Sequence, residues 1–191
     1  MRTTLFALAA ASLFAGAVQA APATYAIDPT HTFATFEIDH FGASTNRARF
    51  DKKSGSVEFD KAAKTGKVQI ELDMTSVNSG TAPFNKHLQS ADIFNVEKFP
   101  TAKFVSDKFV FDGDKLKEVT GKLTLLDQTH PITIKANKFT CYESPMLQKR
   151  EVCGGDFEAT IDRTQWGVNY GIPYGFPKTV RLVLQIEAVK Q

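Results

Sequence analysis

Apolar and polar residues alternate with a period of two along most of the chain. Val68, Ile70, Leu72 and Met74 are interleaved with Lys67, Gln69, Glu71 and Asp73, and Val119, Gly121, Leu123 and Leu125 with Thr120, Lys122 and Thr124. The same pattern returns at Ile132, Ile134 and Ala136, at Phe157, Ala159 and Ile161, and at Val180, Leu182, Leu184, Ile186 and Ala188. Near the start, Thr32, Ala34, Phe36, Ile38 and His40 share one face. Such alternation predicts strands with one buried face. Phe104 and Phe109 have opposite parity, so the strand carrying them must bulge near Ser106–Asp107. Short polar turns such as Asp112-Gly113-Asp114-Lys115 separate about eight strands. Eight antiparallel strands close into a barrel whose interior is filled or holds one small ligand, whereas an open sheet would expose its edges. The prediction is therefore an all-β, eight-stranded antiparallel barrel.

One segment breaks the alternation. Between Pro83 and Ser90 the apolar residues Phe84 and Leu88 stand at i and i+4, on one side of a short helix. Phe94 and Phe99 extend the apolar surface, and Pro100 stops any continuation. A helical insert of this kind in a β chain predicts a plug or lid over the barrel interior.

The first twenty residues read as a leader. Arg2 supplies a positive start, Leu5 to Val18 are free of charge, and Val18-Gln19-Ala20 offers the small residues that a signal peptidase reads. Cleavage after Ala20 leaves 191 − 20 = 171 residues, numbered 21–191, the length of a single domain. The apolar run is too short to span a membrane and no later one replaces it. The expected location is the periplasm or the exterior. Without Arg2, 22 basic residues face 21 acidic ones, a net charge of +1, and they are interspersed. No basic stripe exists to recruit nucleic acid. Cys141 and Cys153 are the only cysteines, and in an exported chain a lone pair predicts a structural disulfide, here pinning the Pro145-containing connection.

Catalytic and metal chemistry find no support. His31 and His40 would point to opposite faces of an unbroken strand, and His87 and His130 lie in other segments without ligand spacing. No nucleophile elbow, P-loop or dinucleotide fingerprint occurs, so no enzyme and no metal site is expected. Alternation does not by itself say which face points inward, and a small outer-membrane barrel would show a comparable pattern. The short Val57–Phe59 strand signal, the helical insert, the disulfide loop and the lack of aromatic girdles argue against that reading.

Several motifs in order carry a resemblance over essentially the whole mature chain: Tyr25-Ala26-Ile27-Asp28 with His31-Thr32; Phe36, His40-Phe41 and Arg49-Phe50; His87-Leu88, Ser90-Ala91-Asp92 and Phe94 with Phe99-Pro100 and Phe104; Gly121-Lys122-Leu123-Thr124-Leu125 with Thr129, Pro131-Ile132 and Ile134; and Ile161-Asp162-Arg163-Thr164 with Trp166-Gly167. In this order they resemble the YceI-like family of periplasmic, lipocalin-like lipid-binding proteins. The resemblance implies a barrel holding a long polyisoprenoid or similar amphiphile in an apolar tunnel, without catalysis. Two turns depart from the family pattern: Leu126-Asp127-Gln128 lacks a glycine, and Pro177-Lys178-Thr179 leads into the last strand.

Sixteen phenylalanines, fourteen of them after Phe6 and Phe14 leave with the leader, suit either a solid core or a hydrocarbon-binding cavity. The expected tunnel lining is Phe36, Ile38, Ile70, Leu72, Phe84, Leu88, Phe94, Phe104, Leu123, Leu125, Ile134, Phe157, Ile161 and Trp166, with the segment from Trp166 to Pro177 as a candidate rim. The expected ligand is a prenylated quinone such as ubiquinone or a polyprenyl phosphate. The quinone is favoured because the inward pattern carries no Arg/Lys cluster. A fatty-acid or fatty-amide carrier, or a solid-cored stress or surface-interaction protein, are the alternatives. A monomer or homodimer without a stable membrane span is expected.

Overall fold

The computed structural model describes residues 21–191, so the predicted leader lies outside the described residues. The chain forms β1 (Ala23–Ile27), β2 (Phe33–His40), β3 (Ser44–Phe50), β4 (Lys53–Asp60), β5 (Thr65–Asp73), β6 (Val77–Asn78), α1 (Ala82–Gln89), β7 (Thr101–Asp112), β8 (Lys115–Leu125), β9 (Gln128–Glu143), β10 (Glu151–Asp162) and β11 (Thr179–Lys190). All pairings are antiparallel.

The eleven segments make an eight-strand ring, because three strands are each broken once. The strand β11 pairs with β2 through Arg181–Gln185 and then with β1 through Ala188–Lys190, so β1 and β2 are two halves of one bent path. Likewise β3 pairs with β2 and β4 with β1, and β5 and β6 lie against β4 and β3. The ring runs β1-β4-β5-β7-β8-β9-β10-β11 and closes from β11 back to β1. Closure pairs the long strands on both sides, and among the described strands the two-residue β6 keeps a single partner, β3.

The break between β1 and β2 is a polar turn. The Asp28 carboxylate accepts from the Thr30 N–H (2.8 Å) and hydroxyl (2.6 Å) and lies 2.7 Å from His31 Nδ1. His31 thus precedes β2 on the exposed turn, and the parity argument for an unbroken strand does not apply to it. The bulge expected near Ser106–Asp107 is present: register shifts between Ser106 and Lys108, and Ser106 Oγ fills the gap by accepting the Val68 N–H at 2.7 Å. A shift between β9 and β10, opposite Asp156–Phe157, moves the inward set of β9 from Ile132, Ile134 and Ala136 to Phe139 and Cys141.

Apolar residues point inward and charges outward. On β5, Val68, Ile70 and Leu72 face the interior while Glu71 pairs with Lys103 on the outside, and on β11 the outward Arg181 pairs with Glu37 and Glu158. This is the reverse of a barrel whose apolar band meets lipid. Cys141 and Cys153 stand directly opposite on β9 and β10 and are joined as a disulfide, next to the connection that carries Pro145.

Candidate functional site

The barrel interior is not filled. A cavity of about 370 Å³ runs the length of the ring, bordered by Tyr25 and Phe59 near one end and by His40, His87, Tyr170 and Phe176 near the other. Its size falls within the range of small-molecule pockets, roughly 300–1,000 Å³. The lining is almost wholly aliphatic and phenylalanine, so it offers dispersion contacts and few hydrogen bonds.

Thirteen of the fourteen side chains expected to line the tunnel border this cavity: Phe36, Ile38, Ile70, Leu72, Phe84, Leu88, Phe94, Phe104, Leu123, Leu125, Ile134, Phe157 and Ile161. Trp166 does not, and that expectation is corrected. It is 1 % exposed, packs behind the wall with Ile161 and Val180, and donates its indole N–H to the Leu123 carbonyl at 3.0 Å. Its polar edge is held by the β8 backbone, so it braces the rim from outside the cavity. The phenylalanines Phe33, Phe50, Phe59, Phe109, Phe139 and Phe176 also border the cavity and were not anticipated. The signal for Phe109 was available in the parity change, and that for Phe139 was hidden by the register shift between β9 and β10.

Gly121 shows how close the fit is. A Cβ at this inward position would collide with the Val105 carbonyl of β7 and stand 2.6 Å from the Phe104 ring, so both approach β8 only because residue 121 is glycine.

The insert closes one end. Helix α1 starts after Thr81 with Pro83 in its first turn, where the missing N–H costs nothing, and Asn85 Oδ1 accepts from both the N–H and hydroxyl of Ser79 at 2.7 Å, fixing the approach. It ends where the Ser90 hydroxyl donates to the His87 carbonyl at 2.7 Å. Gln89 donates to the Thr75 carbonyl at 2.8 Å, tying the helix to the end of β5. Phe84 and Leu88 face the cavity from the one side, as their spacing implied. Phe94 packs against Phe36 at 5.9 Å and Phe50 at 6.0 Å between ring centroids. Phe99 lies outside the lining, under the Lys98 ammonium.

Opposite α1, the connection from β10 to β11 forms the rest of the rim. His87 meets Tyr170 edge-on at 4.8 Å, and His40 stands between Phe41 and Phe176 at 5.1 and 5.3 Å. Phe41, Tyr170 and Tyr174 are exposed here. Arg163, at the foot of this connection, clamps it: Nε donates to the Pro177 carbonyl and Nη1 to the Val168 carbonyl, both at 3.0 Å. The side chain is 7 % exposed and borders the cavity, and burial lowers its pKa. The sequence pattern was read only for an inward Arg/Lys cluster, and it did not show this single buried guanidinium. Lys103 touches the cavity only along the wall, its ammonium lying outside and paired with Glu71 at 3.0 Å.

The far end is sealed by Tyr25. Burial, reinforced by donation of its hydroxyl to Glu151 at 2.6 Å, pushes its pKa up, and Lys61 meets the other oxygen of that carboxylate at 2.6 Å. The one cluster of potential metal donors among the described residues, Cys141, Glu151 and Cys153, has both sulfurs in the disulfide and its carboxylate engaged by Tyr25 and Lys61.

Comparison with known proteins agrees with this architecture. The YceI-like domain matches residues 25–188. A UPF0312 protein of Pseudomonas aeruginosa (strain LESB58) is 36 % identical over 194 residues, spanning 100 % of both chains. Among solved structures, BcnA of Burkholderia cenocepacia superposes with a TM-score of 0.70 at 22 % identity, covering 84 % of this chain and 98 % of that one. A structure described as a polyisoprenoid binding domain from Saccharophagus degradans, implicated in plant cell wall breakdown, gives 0.63 at 16 % identity, covering 87 % and 98 %.

Proposed function

The chain belongs to the YceI-like domain family, and from that premise we propose that it binds a long isoprenoid-tailed amphiphile inside its barrel, for storage or transport and without catalysis. The observation that carries this reading is the apolar cavity running the length of the barrel under the α1 insert. The polyisoprenoid binding domain of Saccharophagus degradans, alike in fold, supports an isoprenoid tail. Burial supplies the affinity: each CH₂ withdrawn from water contributes about 0.8 kcal/mol, so several isoprene units bind well with no polar contact.

Residues 1–20 are proposed as a cleaved signal peptide, with the periplasm or the exterior as the place of work. For the headgroup, a prenylated quinone such as ubiquinone and a polyprenyl phosphate are the two candidates. The sequence-based preference for the quinone rested on the lack of an inward Arg/Lys cluster, and the buried Arg163 at the cavity weakens that ground.

The test is to purify the exported protein under mild conditions, extract it with organic solvent and identify the extract by mass spectrometry. A stoichiometric prenylated species is expected. Fatty acid alone would replace the isoprenoid reading, and a clean extract that stays clean after incubation with both lipids would overturn the carrier reading. Leu88→Arg or Phe94→Asp, each placing a charge where the insert meets the cavity, is expected to abolish loading while the barrel stays folded. Undiminished loading would show that the insert is not the closure.

A further inference from the structure

Resting on the lipid-binding reading, we propose that Arg163 is the headgroup-recognition residue, and that the amphiphile carries an anionic phosphate at the end of its apolar tail. The loop clamp accounts for only part of this guanidinium. Nε and Nη1 are satisfied by the Pro177 and Val168 carbonyls, but Nη2 is buried and has no hydrogen-bond partner among the described residues. Buried side-chain nitrogens are nearly always paired, and an unpaired one on a cation is the costliest kind to leave so. A clamp alone would not require it.

The charge is as exceptional as the hydrogen bond. No carboxylate lies within ion-pair distance of Arg163 among the described residues. Its acidic neighbour Asp162 instead caps the adjoining turn, accepting from the Thr164 N–H at 3.0 Å and hydroxyl at 2.6 Å. Lys103 is neutralised by Glu71, while His40 and His87 are enclosed by the rim aromatics. Arg163 is thus the one permanent cation bordering the cavity without a counter-ion among the described residues.

Its place in the fold suits a headgroup. Arg163 comes directly after the last residue of β10, at the end where α1 and the β10–β11 connection form the rim, so a tail running toward Phe59 leaves the headgroup beside it. A guanidinium donates and never accepts, and its fork matches phosphate oxygens. A phosphate beside Arg163 answers the unpaired charge, whereas a quinone carbonyl leaves it without a counter-ion.

The experiment compares geranylgeranyl monophosphate with geranylgeraniol, which share one tail, and adds inorganic phosphate as a competitor. Equilibrium binding to the mature protein is measured at pH 7 for wild type, Arg163→Gln and Arg163→Lys, with circular dichroism as the check on folding. Wild type is expected to favour the phosphate by about tenfold or more, as for a hydrogen-bonded charge pair. Arg163→Gln also loosens the clamp and can weaken both ligands, so the phosphate-to-alcohol ratio is the readout: it should fall close to one in Arg163→Gln and stay intermediate in Arg163→Lys. Failure of inorganic phosphate to compete at comparable concentration identifies the lipid headgroup, rather than free phosphate, as the ligand. A wild-type ratio near one overturns the inference and leaves the carrier reading standing. Equal weakening of both ligands in a folded Arg163→Gln also overturns it, reducing Arg163 to a clamp. Binding of neither ligand by wild type overturns the carrier reading and this inference together. Should the glutamine variant not fold, the wild-type and lysine ratios decide the outcome.

Discussion

At the end of the barrel where the short turns Asp60–Thr65 and Asp112–Lys115 lie, Phe59 stacks on Phe111 and packs against Phe109 and Phe139, with centroids 5.7–6.2 Å apart. At the other end, the aromatic rings of His40, Phe41, His87, Tyr170 and Phe176 meet edge-on around an opening, and Phe41, Tyr170 and Tyr174 remain exposed. The polar groups divide in the same way. Tyr25, Glu151 and Lys61 satisfy one another at the turn end, while Arg163 keeps an unpartnered nitrogen at the insert end. One end is thus finished by its own side chains and the other has functions left over. The turn end is closed by its own packing, and the insert end is where the proposed ligand would complete it.

Phe59→Ala and Phe94→Ala test that division most strongly. Phe59 is 5 % exposed among its ring neighbours, and its truncation is expected to destabilise by about 3–5 kcal/mol in urea unfolding. Loaded lipid should be retained, because a larger cavity at the far end still admits a tail. Phe94→Ala is expected to cost less stability and to speed release of bound lipid severalfold. Comparable release from both variants would erase the contrast between the ends.

Next in size is the disulfide. Replacing Cys141 and Cys153 by serine opens a sequence separation of 12 residues beside the turn end, an expected loss of about 3 kcal/mol in the chain-entropy picture. Thermal unfolding with and without reductant measures it, and unchanged lipid loading below the transition would confirm that the bond braces the closed end only.

How the two ends differ also explains how much of the molecule was legible in its sequence. The wall is periodic, so strands, inward faces, the Ser106 bulge and the α1 insert could be read, and with them most of the lining. A bulge hides the inward residues beyond it: Phe139 lies one register past the visible alternation of Ile132 to Ala136. The rim has no period. Arg163 comes directly after the last residue of β10, where a charged residue ordinarily meets solvent, and only the path of residues 167–178 over it makes it buried. Trp166 was misread for the same reason: an aromatic in an aperiodic segment can face the cavity or brace the wall behind it, and the Leu123 carbonyl decides between them.

The insert end also bears backbone strain. The two-residue turn joining β8 to β9 sets both Leu126 (φ 49°) and Asp127 (φ 57°) in the left-handed region, a hairpin geometry that favours glycine at the second position. Asp127→Gly relieves one of these and is expected to raise stability by about 0.5–1 kcal/mol, part of the gain being returned as extra freedom of the unfolded chain. Urea midpoints of the two proteins, with m unchanged, check it.

The smallest expected effect lies midway between the ends, where the Asp28 turn bends β1 into β2 so that one path serves both. Partial burial alone would raise the Asp28 carboxyl, but hydrogen bonds from His31 and Thr30 outweigh it and hold the pKa at about 2, below the ordinary 3.8. Hydrogen bonding to Asp28 in turn raises the pKa of His31. The signs are opposite. A carboxyl depressed by folding contributes stability that is complete above its unfolded pKa and lost as pH falls from near 4 toward 2. A histidine raised by folding contributes fully below its ordinary value near 6.5 and loses that contribution as pH rises through the raised value. The pair therefore supports the bend best between roughly pH 4 and 6.5. His31 is exposed, so solvent and salt screen the contribution. Melting temperatures of wild type and Asp28→Asn should differ most near pH 5 and converge as the pH falls to about 2 and below. The difference should narrow again as the histidine deprotonates above neutrality, leaving only the Thr30 hydrogen bonds. A difference that is flat from pH 4 to 9 would show that the turn is held by Thr30 alone, and that the bend joining the two ends carries no charge interaction.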